Sequence, residues 1–155
     1  MDIYLLVFLI TIAAPFSIFL HELGHAIAAR TVNADQITLS IGLGNKISTI
    51  FLGKIQITIN AIFFLGGLAK SERNIPYKSS EIVWISISGP ITNAVFAFLV
   101  YLAYFIYPNN FLHLLFLFNL WLAFANIIPF KIKEKKTDGY TIFKEAVHTL
   151  KRMLK

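Results

Sequence analysis

From Ile82 to Phe130 the chain carries no Lys, Arg, Asp or Glu, and its apolar run is broken by Pro108-Asn109-Asn110. A hydrocarbon core roughly 30 Å thick is crossed by about 20 helical residues rising roughly 1.5 Å each. The run is therefore long enough for two crossings, at about 82–107 and 111–130. A third uncharged run starts at Ile3, and its helical pattern continues to about Arg30. Lipid offers no hydrogen-bond partners to bare backbone, so spanning segments of this kind are helices. With 57% hydrophobic residues, 15 Phe and 14% charged residues among 155, the chain lies well outside the mix of an ordinary soluble domain. The expectation is an α-helical integral membrane protein: a three-span transmembrane core, a small cytoplasmic-side β region and a C-terminal amphipathic helix.

The residue after Met1 is Asp2, and no Lys or Arg precedes the first apolar run. A cleaved signal peptide wants a basic start and a small-residue cleavage site, so this segment is read as a permanent span. All 14 basic residues lie between Arg30 and Lys78 or from Lys131 onward. Three spans put both regions on one side of the membrane, which the positive-inside rule makes cytoplasmic. The net charge of +6 is thus read as topology, with no nucleic-acid partner. The expected location is the cell membrane, multi-pass, with the N-terminus and the Pro108-Asn109-Asn110 turn outside and the C-terminus cytoplasmic. No Cys is present, so a metal site here must use His and carboxylate.

Span one is expected to be a single helix from about Ile3 to Arg30, kinked at Pro15. Over about 35–65 the period changes: Ile37, Leu39 and Ile41 alternate with Thr38 and Ser40, and Ile55, Ile57 and Ile59 with Gln56 and Thr58. This predicts two or three short strands on the cytoplasmic side. The following NAIFFLGGLAK is too short to span and is read as re-entrant or interfacial. In span two, Ser86, Gly89, Asn93 and Ala97 fall on one helical face, where another helix can approach closely. The core is expected over 1–138. In the tail, 139–155, apolar Ile142, Phe143, Ala146, Val147, Leu150 and Leu154 oppose Lys144, Lys151, Arg152 and Lys155, which suits an amphipathic helix on the anionic leaflet or a solvated helix end.

Near the cytoplasmic end of span one stands HELGH. Its histidines, His21 and His25, are four apart on a helix and share a face, within reach of one metal ion; Glu22 can stand beside a metal-bound water as general base. Random order of 4 His and 5 Glu in 155 residues would produce the pattern in roughly one chain in three hundred. The plainer alternative is a pair of hydrogen-bonded histidines inside a bundle, with Glu22 at the headgroups. Ionisable side chains are costly at membrane depth, and that favours the functional reading. A catalytic zinc takes three protein ligands and keeps one position open. Asp138, after span three on the same side, is the best third candidate; Asp35, Glu72, Glu81 and Glu134 also fall on that side. His113 sits near the opposite end of span three and His148 in the tail.

These features together resemble the site-2 proteases, zinc metalloproteases that cut peptide bonds within or beside the membrane. HELGHAIAAR resembles the first motif of that family, ITLSIGLGNK followed by FFLGGLAK its membrane-associated β region and its Leu-Gly-Gly segment, SGPITNAVFAF its second-span motif and NIIPFKIKEKKTDG its Asn-x-x-Pro…Asp-Gly motif. The resemblance implies zinc held by His21, His25 and Asp138, with Glu22 as general base. It further implies that Gly89 and Asn93, matching Gly-x-x-x-Asn, face the active site, and that Asn126 contacts substrate. Asn93 and Asn126 would then donate to substrate backbone or oxyanion; their alternative is polar glue between helices. The stretch from Pro129 to Asp138 is longer and more basic than the family's commonest form, and no PDZ domain is inserted, so the resemblance is to a minimal version.

The function expected is hydrolysis of a transmembrane or membrane-tethered protein substrate, with the lipid bilayer and an accessory subunit or a second copy as further partners. Two alternatives belong to other classes. One is a catalytically silent membrane protein that keeps the fold and binds a membrane partner; the other is an ion pathway built from the intramembrane polar groups.

Overall fold

A computed structural model describes residues 2–132 and 135–154. Its elements follow the chain as α1 (Ile3–Phe8), a π-helical segment (Leu9–Ala13), α2 (Ala14–Thr31), β1 (Gln36–Leu52), β2 (Ile55–Glu72), α3 (Ser79–Ile106), α4 (Asn110–Ile127), the short pair β3 (Lys131–Ile132) and β4 (Lys135–Lys136), and α5 (Asp138–Met153). Three helical stretches are long and apolar enough to cross a membrane: Ile3–Thr31, Ser79–Ile106 and Asn110–Ile127. They coincide with the three spans expected from the sequence.

The expected kink at Pro15 takes another form. Proline has no N–H for the carbonyl four residues back and its ring crowds that carbonyl. Here the turn before it widens into the π segment Leu9–Ala13 and the helix runs on. At its other end α2 stops in a Schellman turn: the Ala34 N–H donates to Ala29 O at 3.0 Å and the Asn33 N–H to Arg30 O at 3.1 Å. Asn33 takes the left-handed conformation this turn requires (φ 59°). The turn throws the chain directly into β1.

The β region is longer than expected. It runs to Glu72 rather than to about residue 65, and NAIFFLGGLAK lies within β2 as extended chain, not as a re-entrant segment. Its unalternating run at 61–65 hid the strand: those side chains are exposed on both faces, so no period-2 burial marks them. Both strands fold back on themselves. Residues 36–41 pair with 67–72 in the antiparallel sense (Ile37 with Ser71, Ile41 with Gly67) and also run alongside 55–59 (Ile37 with Ile55, Ile41 with Ile59). Residues 46–52 pair antiparallel with 55–60 through the turn at Gly53-Lys54. The spatial order is therefore 46–52, 55–60, 36–41, 67–72, and 67–72 forms one edge. The alternation read in the sequence sets the inner face: Ile37, Leu39 and Ile41 are buried, and Ile37 and Leu39 pack with Ala26, Ala29 and Ala34. The sheet is thereby seated on the C-terminal half of α2.

Helices α2 and α3 meet along small residues, with Ser86, Gly89, Asn93 and Ala97 all buried as their shared face predicts. Helix α5 begins at Asp138, so the expected boundary after residue 138 falls one residue inside the helix. The helix packs along α3 and against the end of α4. A Cβ at Gly139 would collide with Ile127 O, so only glycine lets α5 come this close. After Pro129, Lys131 and Ile132 pair with Lys136 and Lys135, and the base of this pairing is closed by Thr137. The Thr137 N–H donates to Phe130 O at 3.0 Å, and its Oγ1 donates to Ile128 O at 2.7 Å while capping α5 at the Tyr140 N–H. The longer segment thus returns Asp138 to the end of α4.

Candidate metal centre

On α2, His21 and His25 point their Nε2 atoms at one place, 3.2 Å apart. Asp138, at the start of α5, closes the triangle: Oδ2 lies 3.1 Å from His21 Nε2 and Oδ1 3.3 Å from His25 Nε2. Residues 117 positions apart therefore converge. Both histidines are buried and Asp138 is half-buried.

The donor set fits a divalent metal. The His25 Nδ1–H donates to Ile85 O at 2.7 Å, which fixes the tautomer and leaves Nε2 with a free lone pair. That lone pair faces a second imidazole nitrogen and a carboxylate, so a cation, proton or metal, has to stand among them. Ligands about 2.0–2.1 Å from a tetrahedral centre are about 3.3 Å from one another. The three separations match that edge length, and two His with one carboxylate is a known zinc set. Burial works to raise the Asp138 pKa, but the hydrogen bonds to His21 and His25 outweigh it and hold the carboxyl below the usual carboxylate range. The group is an anion at neutral pH, as a ligand must be. Among the described residues, this is the His and carboxylate group whose ligand atoms come within 4.8 Å of one another.

Two of the other acids are engaged elsewhere. Asp35 accepts from the Asn74 N–H at 2.9 Å, and Glu81 pairs with Arg73 at 2.8 Å. Glu72 ends β2 and its carbonyl accepts from the Asp35 N–H; Glu134 lies outside the described residues. His113 stacks on Tyr104, and His148 lines a pocket beside Arg152.

Glu22 is 7% exposed and lies against β2. A Cβ at Gly67 would stand 2.5 Å from Glu22 Oε1, so the glycine makes room for the carboxylate at the sheet edge. Gly89 plays the same part beneath the histidines. A Cβ there would strike His25 Nε2 and stand 2.9 Å from His21 Nε2. Gly89 thus meets the imidazoles themselves.

Asn93, expected to face a substrate, is fully buried. Its Nδ2 donates to Ser17 O at 3.3 Å and Asn119 Oδ1 at 3.2 Å, while Asn119 Nδ2 donates to Ser17 Oγ at 2.8 Å. Both amide N–H groups point between helices, the arrangement expected of polar glue. Asn126 is half-buried near the end of α4 and donates to Leu122 O at 2.9 Å within its own helix. The sequence reading missed Ser17 and Asn119. Their signal was present: Ser17 lies one turn before His21 on the same face, and Asn119 is a lone amide in the middle of an apolar span.

A family model described as Peptidase family M50 matches residues 7–109, more than half of the 155-residue chain. The matched stretch holds HELGH, the sheet and α3, and stops before Asp138. No curated protein matches the chain.

Proposed function

The chain belongs to peptidase family M50, and from that premise we propose that it is an intramembrane zinc metalloprotease that hydrolyses peptide bonds of transmembrane or membrane-tethered proteins. The observation that carries this reading is the convergence of His21, His25 and Asp138 on one point, with Glu22 next in sequence to the first of them. His21, His25 and Asp138 would hold the metal. When bound, zinc polarises a carbonyl and lowers the pKa of a water toward neutrality. Glu22, held in place against Gly67, takes the proton from the attacking water and passes it to the leaving amine.

A helical substrate hides its carbonyls in its own hydrogen bonds and must unwind to be cut. The edge at 67–72 runs past Glu22 at Gly67, so a substrate strand added to that edge would lie extended beside the base. Asn126, bonded within its own helix, can exchange that bond for one to substrate. Asn93 and Gly89 would serve the site through the helices and imidazoles they pack. The basic residues on the sheet and tail support a site open to the cytoplasm.

The test compares wild type with Glu22→Gln, measuring zinc per chain and cleavage of single-span reporter proteins reconstituted with the enzyme. Zinc near one per chain in both, with cleavage reduced about 10²–10⁴-fold in the variant, is the expected result. Undiminished cleavage by Glu22→Gln would sink the mechanism. Zinc without cleavage by either form would favour the silent membrane-binding alternative.

A further inference from the structure

Away from the metal centre, a groove of about 700 Å³ runs between the first turns of α3 and the C-terminal half of α5. Its wall is apolar at Val83, Leu150 and Met153, and cationic at Lys78 and Arg152. An adjoining pocket of about 340 Å³ shares Lys78 and Arg152 and adds Lys144 and His148. Glu145 is the acid among these lining residues, against Lys78, Lys144 and Arg152. The neighbouring acid on α3, Glu81, is already paired with Arg73. With α3 as a span beginning at Ser79, this cationic rim stands at headgroup level, and Val83, one turn into α3, leads from it toward the bilayer.

The same helix carries the third ligand. Asp138 is the first residue of α5, yet Gly139 is the one residue of α5 that is buried, while Phe143, Leu150 and Met153 are largely exposed. Beyond Gly139, protein contacts therefore leave much of this helix uncovered, although the metal centre depends on it. We propose that the groove binds the headgroup of an anionic phospholipid, and that the bound lipid clamps α5 to α3 and so keeps Asp138 at the histidine pair. Charge complementarity selects the occupant: juxtamembrane Lys and Arg attract anionic headgroups, and an acyl chain can lie along Val83, Leu150 and Met153. The clamp rests on the membrane-protease reading above, whereas the binding of the lipid does not require cleavage.

The test places the full, zinc-loaded chain in nanodiscs of phosphatidylcholine with or without phosphatidylglycerol. Lipid retained on the protein is measured by native mass spectrometry, α5 protection by hydrogen exchange, and zinc release by transfer to a chelator. Phosphatidylglycerol should be retained by wild type and by the charge-keeping variant K78R/R152K. It should fall about tenfold in K78Q/R152Q and persist in K46Q/K54Q, which loses the same charge from the sheet. In wild type the anionic lipid should slow both α5 exchange and zinc release. Equal retention by K78Q/R152Q and K46Q/K54Q would overturn the site, and equal protection of α5 by inorganic phosphate would overturn the lipid as occupant. Selective retention with unchanged zinc release would overturn the clamp. None of these readouts uses proteolysis, so an inactive enzyme would refute the function proposed above without touching this result.

Discussion

At the residue scale the centre is three acceptors pressed into one small volume, with a glycine beneath them. One imidazole is aimed from behind, His25 by the Ile85 carbonyl, while the His21 Nδ1 is buried without a partner; Gly89 sets how near α3 can come to both rings. Asp138→Ala removes the ligand and leaves two nitrogens, so zinc per chain should drop further than the roughly 10–100-fold affinity loss typical of outer-shell changes. Gly89→Ala replaces no ligand, yet its methyl would have to occupy the position of the His25 ring. Overpacking of this kind costs about 1–3 kcal/mol, and the imidazoles could not yield without leaving a bound metal. Both variants should therefore elute zinc-poor when metal content is measured after purification in detergent. Normal zinc in Gly89→Ala would mean that α3 shifts freely, contrary to the close contact. The pair His21 and His25 was legible because helix geometry turns a spacing of four into one face. The part of Gly89 was not, since a glycine in sequence does not say which neighbour presses on it.

At the element scale, α2, α3 and α4 are tied by Ser17, Asn93 and Asn119, one turn from His21 along α2. Interhelical hydrogen bonds of this kind average about 0.6 kcal/mol and reach about 1.7 kcal/mol in a membrane bundle. Asn119→Leu should destabilise by about that range, and Asn93→Leu likewise. Because the two amides bond to each other, the double variant should cost less than the sum, and a double-mutant cycle by reversible unfolding in detergent measures the difference. Strict additivity would show that the amides act separately. The three long apolar helices could be read from the sequence, because, Glu22 apart, charged residues stop and start near their ends. The sheet was half legible: alternation marked 37–41 and 55–59, whereas 61–72 has no inner face until it pairs with 36–41. Asn119 went unread because a lone amide in an apolar run gives no hint of its partner on another helix.

At the scale of the whole molecule, the centre joins a helix near the start of the chain to one near its end, 117 residues apart. The connection is not a motif. It depends on the Schellman turn that sends the chain into the sheet, on the hairpin of α3 and α4, and on Thr137 and Gly139 setting α5 against the end of α4. The Asp-Gly pair could therefore be noticed in the sequence while its seat on a separate helix could not. A ligand shared by two distant elements binds the assembled state and not the parted one, so it stabilises the assembly by mass action. Free metal at 100 times its dissociation constant is worth about 2.7 kcal/mol. Chelation should lower the melting temperature of zinc-loaded wild type in detergent, and restoring zinc should raise it again. Asp138→Ala, with α5 no longer joined to the histidines through metal, should melt near the chelated wild type and respond little to either treatment. An equal chelator response in both proteins would show that the two histidines bind metal without α5, and that the C-terminal helix is no part of the centre.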